Sequence, residues 1–403
     1  MTARSEPLST SRPERRTALD ALRAMVVVGL VFFHSSLVFD EGSDFYVKNA
    51  DTTGVTMIFA GLAVVWAMPL LFLIAGVGAW HSLAKRGPGG FALERLLRLG
   101  VPLVFATLAM LPIPQWLRLR SQPGHHESYW EFLPGFFTVH LEWGKFPFVL
   151  QGRYFETGHL WFVLLLLTFA LLLVPLVRWV PAARARAACE RMAALANRRG
   201  AILLPGLLLG AACALLGIEQ EYGGWHHWTY LLFFAGGFVF AADGRFRAAM
   251  RRDARLALVA GVVSFLAGAP AFIVAGDAMF SAMTPFALGA RVLYGVAGWS
   301  CVVAIMGLLD RPRAAVEPSP SGADSSPSGG SRFYAYLAPA VLPLYVLHQP
   351  VVVTVAFFVV SWHLPLAVKL AVVVLASLAI IFALYDVAVR RTRVTRFLFG
   401  MRV

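Results

Sequence analysis

"LDALRAMVVVGLVFFHSSLVF", residues 19–39, is apolar enough to enter a lipid bilayer, yet it carries Asp20 and Arg23 near one end and His34 near the other. Each of these is costly at depth in a membrane. An ideal helix turns about 100° and rises about 1.5 Å per residue, so the step from Arg23 to His34 comes within about 20° of three full turns over roughly 16 Å. The two side chains share one stripe, with Arg23 at one edge and His34 past the middle. Asp20, three residues before Arg23, is placed to pair with it. Two readings are open for each residue. Arg23 either snorkels to the surface or belongs to a site, and His34 either ties helices together by a hydrogen bond or carries chemistry.

The rest of the chain gives this stretch its setting. Of 403 residues, 59% are hydrophobic and only 14% charged, and the mean hydropathy is +0.70. A soluble domain carries nearly twice that share of charge. The composition therefore implies a polytopic, all-α integral membrane bundle. Apolar runs of about 20 residues give ten candidate spans, near 19–39, 55–79, 96–114, 159–179, 201–218, 226–242, 255–276, 286–308, 335–358 and 365–388. With the N-terminus placed in the cytoplasm, segments on that side hold 27 of the 35 lysines and arginines. This is the positive-inside bias, and it sets about ten transmembrane helices with both termini cytoplasmic. The net charge of +13 thus reflects topology, and nucleic acid is excluded as a partner. The first apolar run contains a charge and leads into Asp40, Glu41 and Gly42 rather than a small-residue cleavage site, so it reads as a retained span. Cys189, Cys213 and Cys301 show no metal or disulfide spacing.

No period of 20–50 residues marks a repeat architecture, so residues 1–403 read as one membrane domain. Within it, "RAAVEPSPSGADSSPSGGSR" (313–332) lacks the apolar content for a core and reads as a disordered cytoplasmic linker. The loop from about 115 to 158 is long and mixes histidine, glutamate and aromatics. A loop of that length is usually functional or disordered. Its aromatic content implies that it folds back on the membrane surface.

Several landmarks in order carry a resemblance. They are the Arg23–His34 stripe, "MPLLFLIAGVG" (68–78), "FALERLLRLGVPLV" (91–104) with Arg95 and Arg98, "GHLWFV" (158–163), "LPLYVLHQPVVV" (342–353) and "RFLFG" (396–400). Together they resemble the membrane-bound acyltransferase-3 family, and most closely the branch containing glucans biosynthesis protein C, which succinylates periplasmic glucans. The resemblance covers the chain apart from the 313–332 tract. It implies an enzyme of a bacterial inner membrane that moves an acyl group, succinyl or acetyl, from cytoplasmic acyl-coenzyme A to a hydroxyl of an extracytoplasmic carbohydrate. The partners it implies are acyl-coenzyme A, a carbohydrate acceptor and the lipid bilayer, with no permanently bound cofactor.

The residues agree with that implication. Arg95 and Arg98, three apart, share a helix face, and paired guanidinium groups suit phosphates such as those of coenzyme A. Ordinary positive-inside anchoring is the other reading of the pair, and the one given to Lys85 and Arg86. Arg23 joins Arg95 and Arg98 in the expected donor site. A neutral His34 suits proton abstraction from a hydroxyl near neutral pH; it equally suits accepting the acyl group itself. His348 is expected at a depth similar to that of His34, with Tyr345 one turn before it as a donor to the developing oxyanion. Glu156, His159 and Trp161 are expected to line the acceptor entrance; the other reading of Glu156 and His159 is an interfacial cap, and Trp161 reads more readily as a belt tryptophan than as a platform for a sugar ring. Glu156 and His159 have Glu-x-x-His spacing, but iron sites of that kind need a second copy and two further carboxylates. Neither is present, so no metal is expected. His226 and His227, between Trp225 and Trp228, read as interfacial anchors. His81, His125, His126, His140 and His363 carry no assignment, and Arg291 and Lys369 read as snorkelling residues.

Two rivals remain at this stage. One is a transporter of a polar solute, with Arg23 and His34 as substrate or proton relays. The sequence lacks the paired broken helices that such proteins show. The other is a membrane scaffold whose buried polar residues only set helix register.

Overall fold

The computed structural model of the chain describes residues 12–42, 44–276, 278–310 and 329–402. Helix α1 (Arg12–Leu37) contains the Arg23–His34 stripe. Its buried side carries Leu22, Val26, Val27, Leu30 and Val31, while Met25 and Phe32, seven residues apart, face outward. That one-sided burial is what a span at the rim of a bundle requires.

The next apolar run, Gly54–Arg120, comprises α2 (Gly54–Val64), α3 (Ala67–Arg95), a π-helical turn at Leu96–Gly100, α4 (Val101–Ala109) and α5 (Pro112–Arg120). Gly87, at φ 70° and ψ 174°, interrupts α3 just before Pro88. A left-handed φ is open to glycine, and Pro88 has no N–H with which to continue a helix. The runs expected at 55–79 and 96–114 lie on either side of this break.

The expected aromatic loop folds into α6 (Tyr129–Phe136) and a small antiparallel hairpin, β1 (Val139–Leu141) with β2 (Leu150–Gly152). A capping box starts α6: Ser128 Oγ accepts from Glu131 N, and Glu131 accepts from Ser128 N at 2.8 Å. Both groups satisfy amides that the first turn leaves without partners. The chain continues with α7 (Trp161–Trp179), α8 (Ala182–Ala196), α9 (Pro205–Leu216), α10 (Thr229–Ala242), α11 (Gly244–Ala275), α12 (Ala278–Ser281), α13 (Pro285–Leu309), α14 (Gly329–Val359), α15 (Leu366–Leu384) and α16 (Arg393–Leu398).

Among the described residues, seven helical runs are long and apolar enough to cross a bilayer, and α9 and α10 are shorter apolar helices. The fold is therefore an all-α, multi-pass bundle. Residues 313–328 of the Ser/Pro/Gly tract lie outside the described residues, and Gly329 opens α14.

Three packed groups build the bundle: α1 with α14 and α15, α3 with α7 and α10, and α13 with α9 and α11. Leu207, Leu215, Val259, Leu266, Ile273 and Leu375 all point outward, as lipid-facing positions do. The α3–α10 contact depends on two glycines. A Cβ on Gly237 would lie 1.9 Å from the Leu73 carbonyl oxygen, and one on Gly76 would lie 2.0 Å from that of Phe234. Small residues that let backbones approach this closely are a main source of helix association in lipid. Gly237→Ala must force the helices apart, at a cost of about 1–3 kcal/mol. It is expected to lower the thermal midpoint of the purified protein by several degrees. Gly29→Ala, where nothing lies within 4 Å, is expected to leave the midpoint unchanged.

Two residues expected to snorkel are instead buried. Arg291 is 0% exposed and donates to the carbonyls of Phe280 and Ala282, fastening the turn before α13. Lys369 Nζ donates to Asn49 Oδ1 at 3.0 Å and to the Val360 carbonyl at 2.8 Å, which ties the 38–53 loop to the end of α14. A buried charge needs such fixed acceptors in place of water.

Candidate active site

Three histidines from three distant parts of the chain meet near one end of the bundle. His34 comes from the last turn of α1, His159 from the 3₁₀ turn leading into α7, and His348 from the middle of α14. The ring centroids of His34 and His348 are 5.0 Å apart, as are those of His159 and His348. His159 and His348 are buried and His34 is half-buried. The depth match expected for His34 and His348 is thus a direct contact, and His159 joins it rather than standing at an entrance.

Backbone carbonyls set the protonation pattern of two of these rings. His159 Nε2 lies 3.1 Å from the Val346 carbonyl, and His348 Nδ1 is bonded to the Tyr345 carbonyl. A carbonyl oxygen only accepts, so each of these nitrogens carries the proton, and the opposite nitrogen keeps its lone pair. Those opposite atoms, His159 Nδ1 and His348 Nε2, are buried without a hydrogen-bond partner among the described residues, and so is His34 Nδ1. Unsatisfied buried polar atoms are rare in native proteins. Two of them, on His159 and His348, are thereby acceptors ready for a hydroxyl, and the unpartnered His34 nitrogen stands beside them.

Tyr345 lies beside this group, its ring centroid 5.3 Å from that of His348 and 5.6 Å from that of His159. Its hydroxyl donates to the His159 carbonyl. The tyrosine proton is therefore committed to holding His159, and a role toward an oxyanion requires it to change partner. Phe45 stacks against His34 at 5.8 Å, closing that side with an apolar wall.

Glu156 is joined to the site through a loop tyrosine that no pattern in the sequence singles out. Tyr46, in the loop after α1, donates its hydroxyl to Glu156 Oε1, and the Gln349 side chain faces the same hydroxyl. Burial, and then the Glu156 carboxylate, push the Tyr46 hydroxyl well above its ordinary range, so it stays protonated. Burial also raises the Glu156 carboxyl, against the opposing effects of Tyr46 and Arg118. Arg118 in turn pairs with Asp44. Trp161 is not brought to the site. It is buried, lying near-parallel to Tyr230 at 5.3 Å and edge-on to Phe162 and Tyr222, which makes it a packing residue of the aromatic core.

The arginines form a second group nearer the other end of α1. Arg23 Nη1 pairs with Asp20 at 2.9 Å, and its Nη2 donates to the Ile74 carbonyl at 3.0 Å. Glu94 stands among the others, 3.3 Å from both Arg95 and Arg98. Ser82 donates to Glu94 at 3.4 Å and receives a bond from Arg86 at 3.1 Å. Arg98 also donates to the Gly400 carbonyl at 3.2 Å, and the Arg95 guanidinium lies 5.1 Å from the Phe91 ring centroid. Arg95 is within electrostatic reach of Arg23, Arg86 and Arg98. Four guanidinium groups thus face the two carboxylates of Asp20 and Glu94. The surplus positive charge suits an anionic ligand. Arg86, read from the sequence as a bare surface charge, belongs to this group.

The family described as an acyltransferase domain matches residues 16–386 of the chain. No curated protein and no solved structure matches it.

Proposed function

The chain belongs to the acyltransferase-3 family, and from that premise we propose that it transfers an acyl group from cytoplasmic acyl-coenzyme A to a hydroxyl of an extracytoplasmic glycan. Membership makes it an acyltransferase, its apolar helices make it a multi-pass membrane protein, and the transporter and scaffold readings are dropped. In the proposed topology about ten spans cross a bacterial inner membrane with both termini in the cytoplasm. The arginine end then faces the cytoplasm, and the loops at 38–53 and 121–158 face outward.

One observation carries the reading: three touching histidines, with buried nitrogens that have no partner among the described residues, stand on the same helical framework as a cation-rich layer. Arg23, Arg95 and Arg98, with Arg86 beside them, hold the donor's phosphates, and the pantetheine arm reaches toward His34. A histidine nitrogen takes the acceptor's hydroxyl proton as the oxygen attacks the thioester carbon. The carbon–sulfur bond breaks, a carbon–oxygen bond forms, and the proton passes to the departing thiolate. His348 is held for this work by the Tyr345 carbonyl, much as a general base is oriented by a neighbour. The alternative order, in which His34 first accepts the acyl group, uses the same atoms. The Glu156–Tyr46 pair lies on the acceptor side. A succinyl or acetyl donor, and kinship to the branch that succinylates glucans, are parts of this proposal.

The test is direct. Purified protein in lipid vesicles is incubated with labelled succinyl- or acetyl-coenzyme A and a mixed glucan pool. Label is expected in the glycan fraction only when donor, acceptor and protein are all present. A protein that binds coenzyme A yet labels no glycan with either donor would overturn the proposal.

A further inference from the structure

We propose that Glu219, His226 and His227 form a binding site for a divalent first-row transition cation of the zinc class, open to a cleft at the loop end of the bundle. The site is separate from the three histidines described above and does not depend on acyl transfer.

The cleft has a volume of about 570 Å³ and lies between residues 144–151 and 219–228. Glu219 Oε2 lies 2.9 Å from His227 Nδ1, and Glu219 Oε1 lies 3.9 Å from His226 Nε2. One ligand atom from each of the three residues falls within 4.8 Å of the others. The two imidazole rings stack at 4.5 Å with 20° between their planes, so neighbouring residues present their nitrogens side by side. Two imidazoles and one carboxylate with positions left open is a ligand set used for zinc and for other divalent transition metals.

The ligands are held in place before any ion arrives. Glu219 also accepts the backbone N–H of His227 at 3.0 Å. The turn between them is pinned by Gly224 N to the Glu219 carbonyl at 3.0 Å and by Tyr230 Oη to the Tyr222 carbonyl at 2.7 Å. Trp225 Nε1 reaches the Val64 carbonyl at 2.9 Å, anchoring the segment to α2. Phe148 lies edge-on to His227 and flat on Tyr222 at 4.5 Å, closing one wall. A site built on pinned elements loses less freedom on binding.

Metal–nitrogen bonds of about 2.0–2.1 Å require the ligands to draw in by roughly an ångström. The ion replaces the His227–Glu219 hydrogen bond, and the proton that His227 Nδ1 donates there moves to Nε2, leaving Nδ1 to ligate. It also moves the His226 proton to Nδ1, at the cost of the long 3.3 Å bond that Nδ1 accepts from Trp228 N. Coordination positions facing the cleft are left for water or a ligand hydroxyl.

The experiment uses full-length protein in detergent, purified with a tag free of histidine and stripped by chelator. Cobalt(II) serves as the spectroscopic probe and zinc(II) as its competitor. One equivalent of cobalt is expected to give d–d bands that zinc abolishes. Glu219→Gln and His226→Ala are each expected to weaken binding at least 10-fold, while Gln151→Ala, in the same cleft but with no ligand role, binds as wild type does. Thermal midpoints of the stripped proteins report whether each variant is folded. No uptake by the wild type, or undiminished uptake by a folded Glu219→Gln/His226→Ala double variant, would overturn the proposal.

Discussion

His34→Ala is expected to lower kcat for acyl transfer by about 100-fold or more, the range spanned by loss of a positioned acid–base group. The residue is half-buried and its ring touches Phe45 and His348. Alanine removes the imidazole but leaves the buried face of α1 intact, from Leu22 to Val31. Expression, thermal midpoint and coenzyme A binding should therefore stay close to wild type while transfer collapses. His348→Ala should behave similarly, because its lone-pair nitrogen lies in the same group. Normal transfer by a well-folded His34→Ala protein would remove this residue from the reaction and leave His159 and His348 as the only histidine candidates at the site.

The second large effect is expected from Arg95→Ala combined with Arg98→Ala. A hydrogen bond to a charged group contributes about 1.5–3 kcal/mol, so losing phosphate contacts should raise the donor KM by about 10- to 100-fold. The acceptor KM and kcat should change little, since neither arginine is among the groups around the histidines. Glu94 loses both of its close ion-pair partners in this variant and keeps the long Ser82 bond, and a half-buried carboxylate stripped of its charge partners is itself destabilising. The measurement is therefore repeated in a Glu94→Gln background. A donor KM unchanged in both backgrounds would show that the arginine layer does not hold the donor.

Much of the site could be read from local periodicity. The alignment of Asp20, Arg23 and His34 follows from helix geometry alone, because a span leaves no other secondary structure open to a chain in lipid. The shared face of Tyr345 and His348, and that of Arg95 and Arg98, are legible for the same reason. The misreadings concern how a residue is turned within the bundle and what the neighbouring segments supply to it. Trp161 sits at the start of a span, where a belt or a sugar platform is the natural expectation, but its helix turns it into the aromatic core. Arg291 and Lys369 lie near span ends, where snorkelling is the default, yet neighbouring loops supply carbonyl and amide acceptors that make burial possible. Arg86 looked like a surface charge because the effect of the Gly87 break on its neighbours is a matter of three-dimensional path. Tyr46 and Gln349 carry no signal at all: one is in an irregular loop, and the other is masked by the histidine beside it.

Composition, run length and helical period are properties of consecutive residues, and they suffice to identify a helical membrane protein with ionisable groups in its first apolar helix. Its landmarks also pointed to the family that the match over residues 16–386 establishes. That His34, His159 and His348 touch, that Glu94 stands among the arginines, and that Glu219 meets His226 and His227 is visible in the folded chain alone. Those contacts depend on which faces of separate helices are buried together and on where loops place backbone acceptors, and no periodicity within one segment encodes either.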